Sequence, residues 1–485
     1  MTYLYKMRLL LFISLISFAV QLNAQKVTVA KEINVRSDYT YEILGNIEDN
    51  IVLFRDKGSE YIAEVFDRNL SHILSRKILF EKNRLNILGT SKTDTSWSIF
   101  YTYKEKKNNI LRSRTLDYKG DVIDSLTIDE IPRKYGRDKT LMAVSKNKTK
   151  ILFFSREKGE RINLHLVDAE VDTFPTLWKK TIVLPEYKLR SDFRRILVTD
   201  FGTVCILLED EVSNAKKHHL AIVEVDGQEG TLLSKIFYDG VYSTDMYVDF
   251  DNINRRIIIA GLYNKNRSDH AEGYYFFNRR LDELEDFQSF TQVPFGLEFI
   301  AEVYGKKIGK AKELKNYTIE DMLIRRDGGF VIFAEMNRRY NRRSAFGGGN
   351  GRYNGNPYRG RGWTDYYNED VVALATFPDG TEHWRTILYK KQFSQDDQGM
   401  YSSYFLFKTP SRLKLLYNDE IKKDNTVSEY ILDPLGNFNR NSVLSTEYQK
   451  LKLRFRDAVQ ISSSELIVPS ERSYNLSLVK IDFGE

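Results

Sequence analysis

The chain has 485 residues, too many for one ordinary hydrophobic core, so it must form several domains, a repeat array or a closed multi-sheet structure. Tyr (30) and Phe (29) are abundant, Pro (9) is scarce, and the 29% of charged residues spread along the whole length, which excludes global disorder and favours pleated, half-buried strands over helices. A single cysteine excludes an intrachain disulfide.

Residues 1–24 differ from everything after them. Lys6 and Arg8 precede the apolar run Leu9–Val20, and Ala24 supplies a small residue before Gln25. This pattern predicts a secretory signal peptide; a buried first helix or membrane anchor is the alternative, but twelve residues are short for a span. The expected location is therefore the periplasm, with the cell surface or secretion as alternatives. No second long apolar run follows, and Cys205, far from the cleavage point, sits in the apolar run Val204–Leu208 as a buried thiol.

From residue 25 onward one phrase recurs eight times: an alternating strand ends in an apolar residue and then Asp, followed by a turn and another strand. Pro378 intervenes in one copy. The acids are Asp67, Asp117, Asp168, Asp226, Asp282, Asp379, Asp433 and Asp482, separated by 50, 51, 58, 56, 97, 54 and 49 residues. A period near 50 accommodates four short strands, the size of a propeller blade. Upstream of each Asp strand lies a more continuously apolar run, such as Ile51–Phe54, Ile257–Leu262 or Phe330–Glu335, which reads as an inner strand, with the more openly alternating Asp strand as an outer one. Lys26–Ile33 alternates well and belongs to no complete unit, so it is expected to complete the last sheet and close the ring. The expectation is one all-β propeller over 25–485, with eight four-stranded blades preferred and seven allowed; two stacked β-domains are the competing arrangement.

Asp370–Ile387 is the clearest copy, with Asp379-Gly380 as a tight-hairpin dipeptide and Trp384 opening the return strand. Asp168 is likewise followed by Trp178. These two hairpins resemble PQQ-type propeller repeats, in which an aliphatic-Asp strand end, a turn and a Trp recur; that family includes an eight-bladed scaffold subunit of the outer-membrane protein assembly machinery. The resemblance implies the fold and leaves function open.

Two segments interrupt the sixth unit. In 295–317, Ile300, Tyr304, Ile308 and Ala311 fall at helical spacing with five lysines largely off that line, predicting an amphipathic helix weakened by Gly305 and Gly309 and packed on the propeller rim. In 337–363, seven arginines mix with Gly and aromatic residues and no acid, predicting a flexible loop. The chain carries +6; without Lys6 and Arg8 it carries +4, and without those arginines −3, so its basic balance belongs to one segment. Arg338, Arg339, Arg342, Arg343, Arg352, Tyr353, Tyr358, Arg359, Arg361 and Trp363 are the candidate interaction residues. Such a mixture suits RNA, but export points instead to an acidic patch on an envelope protein or to an anionic glycan.

No catalytic motif is present: there is no Gly-x-Ser-x-Gly elbow, His-Glu-x-x-His, phosphate loop or Cys pair. His218 and His219 are adjacent, and neighbours on a strand face opposite ways. Asp249–Asn254 starts like a calcium loop but lacks its Gly and distal Glu, and reads better as a hairpin turn. No cofactor or metal is expected. The leading expectation is an exported non-catalytic scaffold. The alternative is a carbohydrate-active enzyme or glycan-binding lectin, which two or three carboxylates gathered with an Arg or Tyr at one channel mouth would favour.

Overall fold

The computed structural model describes residues 25–132, 139–157, 160–185, 187–212, 215–223, 242–266, 268, 270–281, 290–342, 363–419, 421, 426–445 and 451–484. They build an all-β propeller. Its sheets span 40–78, 86–132, 141–183, 193–294, 317–395 and 404–445, and a last one joins 459–482 to the N-terminal strands Lys26–Val29 and Ile33–Asn34. Innermost strands of successive sheets touch: Thr40–Ile47 meets Asn86–Lys92, which meets Leu141–Val144, which meets Phe193–Val198. Thr40–Ile47 also meets Val459–Gln460 of the last sheet, bringing the two ends of the chain together. There the register runs Lys26↔Asp482 to Val29↔Val479, so the orphan strand covers the edge that the strand Asn475–Asp482 would otherwise expose.

Counted by sheets the propeller has seven blades, which corrects the preferred count of eight. Among the described residues the sheet 193–294 has seven strands and contains two repeat units, linked by the single pair Lys216↔Ser243. Its two parts still pack face to face, with Cys205 and Leu207 against Val248, Ile259 and Tyr275, so the doubled blade turns on that one pair.

The first sheet shows why these sequences form blades. Asn50–Asp56 and Tyr61–Phe66 are its middle strands and bury nearly every side chain, because a blade is sandwiched between two neighbours; His72–Ile78, the outermost strand, is mostly exposed. This corrects the expectation that the Asp strand is an outer one: it is the third of four and lies inside the sheet. Asp itself closes the following turn. The Asp67 Oδ1 accepts N–H bonds from Asn69 and Ser71, Asp379 Oδ1 from Thr381, and Asp433 Oδ1 from Leu435 and Asn437. Asp226 and Asp282 lie outside the described residues. Gly380 has φ +82, and a Cβ there would sit 1.6 Å from the Phe276 ring of the preceding sheet. Trp384 in turn covers Gly436 of the next sheet and donates its indole N–H to Pro434 O at 3.0 Å. The Trp of the hairpin is thus a joint between blades.

The helical insertion is shorter than expected. Leu297–Val303 is α-helical and buries Ala301 and, in the cluster that includes Tyr274, Phe330 and Leu374, Phe299, Ile300 and Val303. Gly305, at φ +58, stops it, so Ile308 leaves the apolar line and is 63% exposed.

Candidate interaction face

In every four-stranded antiparallel blade, first strands begin, second strands end and third strands begin at the same face. Turns closed by the recurring Asp lie on the opposite face. Three features therefore share the first face: the helix before the strand Tyr317–Ile324, the connection between the second and third strands of the sheet 317–395, and a cleft where the last sheet meets the first.

The second and third strands of that sheet are unusually long. Phe330–Arg342 has 13 residues and Trp363–Thr376 has 14, against 7 for Asn50–Asp56 in the first sheet. They remain paired from Val331↔Ala375 out to Arg342↔Trp363, forming a β-ribbon arm, and Gln392–Gln395 adds a third strand along Asp365–Asn368. The segment expected to be a loop from Asn337 is therefore strand as far as Arg342 and again from Trp363.

A buried polar network underlies the arm. Lys390 Nζ pairs with Glu335 Oε1 at 2.5 Å, their side chains 2% and 0% exposed, and donates to Gln392 Oε1 at 2.9 Å. Asn368 Nδ2 donates to Glu335 Oε2 at 2.8 Å and to Asn337 Oδ1; Asn337 Nδ2 donates to Glu320 Oε1 at 2.6 Å and Thr318 Oγ1 at 2.7 Å. Gln392 Nε2 donates to Ser403 O, just before the next sheet, and to Asn418 O within it. Burial pushes the Lys390 ammonium down against the pull of Glu335, and burial together with Glu335 pushes the Glu320 carboxyl up. Such groups stay buried only with every partner in place, so the network fixes the arm's base on the blade.

Of the candidate residues, Arg338 and Arg339 are described on the arm. Arg338 pairs with Glu369 and lies 5.4 Å from the Tyr367 ring; Arg339 lies 5.4 Å from the Tyr366 ring. Arg342 and Trp363 face each other in the backbone register. Arg343, Arg352, Tyr353, Tyr358, Arg359 and Arg361 lie outside the described residues.

The cleft, of about 490 Å³, is lined by Asp38, Tyr39, Tyr41, Glu42, Arg454, Asp457 and Glu471, with Val35, Ile43 and Val459 among its apolar walls. The Tyr41 hydroxyl donates to Glu471 Oε2 at 3.1 Å and accepts from Arg454 Nη1 at 2.9 Å, while Arg454 also pairs with Glu471 and Asp457. Burial pushes the Tyr41 hydroxyl well above its ordinary range, and Glu471 adds to the effect against Arg454. Burial likewise raises Glu42, whose Oε1 accepts from the Thr90 hydroxyl at 2.9 Å. Carboxylates, an arginine and tyrosines do gather here. Sequence reading missed them because Tyr41 and Arg454 stand at opposite ends of the chain and meet only on ring closure. Glu335 did leave a signal, as an acid closing an otherwise apolar run.

Asp249–Asn254 is a hairpin turn: Asp251 Oδ1 accepts from the N–H groups of Ile253 and Asn254, and Asp249 pairs with Lys146. Among the described residues, no helix is long and apolar enough to cross a membrane.

No protein-family model and no curated protein matches the chain. Among solved structures it is similar to the WD40 domain of SCAP from fission yeast (7% identity, 95% of each chain, TM-score 0.36). It is similar also to the polysaccharide lyase Uly1 (8% identity, 94% of this chain and 100% of that one, TM-score 0.39). A third is oligopeptidase B from Trypanosoma brucei (12% identity, 91% of this chain and 54% of that one, TM-score 0.41). The propeller assignment stands on the strand topology itself.

Proposed function

We propose that the chain is an exported, non-catalytic propeller of the cell envelope that serves as a protein-interaction scaffold through its arm-bearing face. The observation that carries this reading is the arm: a ribbon anchored by a buried polar network, whose outer part belongs to the stretch 337–363 with seven arginines and no acid. An anchor of that kind supports a rigid projection, and Arg is suited to bidentate contact with carboxylates. Export rests on the pattern of residues 1–24, and the PQQ-type resemblance of two hairpins is in keeping with a scaffold role. Replacing 343–362 by Asn-Gly joins Arg342 to Trp363 as a two-residue hairpin and spares Asn337, which the network needs. The shortened chain should melt as the full chain does and lose its crosslinked envelope partners. Recovery of the same partners at low salt would overturn the reading.

The cleft favours a second reading, a glycan-binding or carbohydrate-active site, because Tyr39 and Tyr41 offer rings beside Arg454, Glu42 and Asp457. A glycan array probed with the chain and with Tyr41→Phe tests it; no glycan retained by either removes it.

A further inference from the structure

We infer that the inner edge of the arm, at Arg339–Asn341, is a docking site for an extended, acidic segment of a partner protein, which adds to it as another strand. The inference rests on the interaction reading above and gives the partner its chemistry.

Backbone geometry comes first. The strand Phe330–Arg342 pairs on its inner side with Tyr317–Ile324 only as far as Met336, opposite Tyr317. One residue further, the Asn337 N–H donates inward to Asn316 O at 2.8 Å. In an antiparallel ladder, residues that exchange bonds with the partner strand alternate with residues that turn both N–H and C=O the other way. Asn337 is of the second kind, since its N–H points away from the strand Trp363–Thr376. The register from Asn337↔Asn368 to Arg342↔Trp363 is unbroken, so Arg339 and Asn341 share its orientation. Among the described residues no strand covers that inner edge. The outer edge of the same arm is covered, by Gln392–Gln395. The arm is thus a three-stranded ribbon with one side closed and one side open, and an open edge is a template for strand addition.

Side-chain chemistry selects the occupant. Arg338 is neutralised by Glu369, whereas exposed Arg339 has no carboxylate partner among the described residues and is held over the Tyr366 ring. Tyr340 is 49% exposed and adds apolar contact area. A strand with alternating carboxylates satisfies both the open backbone groups and Arg339. A second copy of the arm would set arginine against arginine, which like-charge repulsion opposes.

The competing account is that arginines merely defend a bare edge against pairing. Fluorescence anisotropy with a labelled, end-blocked peptide alternating glutamate and valine separates the two. The full chain should bind it, and should bind its backbone N-methylated counterpart at least about tenfold more weakly, as expected when hydrogen bonds to the open edge are lost. Asn341→Pro removes one inward-facing N–H that the ladder does not use, and should weaken binding about tenfold with an unchanged melting temperature; Asn341→Ala should stay within about twofold. Arg339→Gln should weaken binding and flatten its salt dependence. Absence of binding by the full chain, or equal binding of the N-methylated peptide, would overturn the inference and needs no variant to fold. If replacing 343–362 abolishes partner capture while Asn341→Pro leaves peptide binding intact, the edge inference falls and the interaction reading stands.

Discussion

The first sheet and the sheet 317–395 share one four-stranded frame and differ in what they bury between the middle strands. In the first, Arg55 is the main buried charge, held by Asp38 and Glu64 at 2.6 Å each, and the strands stop where apolar packing stops. In the second, Lys390, Glu335, Asn368 and Asn337 follow the apolar stretch, and the strands continue into the arm. The first blade thus forms on apolar packing with one buried ion-pair cluster inside it. Carrying two strands beyond it takes polar groups that hold one another in register at the blade's margin.

Breaking that network should have the largest effect. Lys390→Met leaves Glu335 as an uncompensated buried charge and should cost about 3–5 kcal/mol in denaturant unfolding. Adding Glu335→Gln, which keeps an acceptor for Asn368, should recover most of the loss; if it does not, the pair is not what anchors the arm.

A backbone joint between blades comes next. Gly380→Ala must adopt φ +82 and displace the Phe276 ring, and should cost about 2–4 kcal/mol. A melting temperature equal to that of the parent chain would show that the Asp-Gly turn does not set the spacing of the two sheets.

The smallest effect is expected at an ordinary charged contact between blades. Burial alone would raise the Asp129 carboxyl, but the His165 ring at 3.1 Å and the Lys179 ammonium at 2.7 Å hold it at about 2. A carboxyl held down in the folded state stabilises above its unfolded value, near 4, and loses that contribution as pH falls toward about 2. Asp129→Asn should thus cost about 2 kcal/mol at neutral pH and flatten the acid limb of stability between about pH 4 and pH 2. A parallel pair of pH curves would refute this assignment.

Much of the frame was legible because its rules are local. Asp67, Asp117, Asp379 and Asp433 mark turns because a carboxylate closes the turn two to four residues on, and the apolar runs mark middle strands because a blade is covered on both sides. The blade count was less legible, since the doubled sheet depends on the one pair Lys216↔Ser243. Arg338 and Arg339 could be singled out by composition, yet their setting on a paired ribbon could not, because a run of Arg, Asn and Tyr has no clear strand period.

By itself the sequence determined a repeating all-β chain, an N-terminal strand to complete the last sheet, a buried Cys205 and an arginine-rich interruption of one unit, all of which follow from side-chain type and spacing along a strand. Tertiary structure alone decided that Tyr41 meets Arg454 and Glu471, that Lys390 meets Glu335, and that the arm, the helix and the cleft share one face. Those facts depend on how blades close into a ring, where residues hundreds of positions apart become neighbours and burial sets which polar groups must find partners.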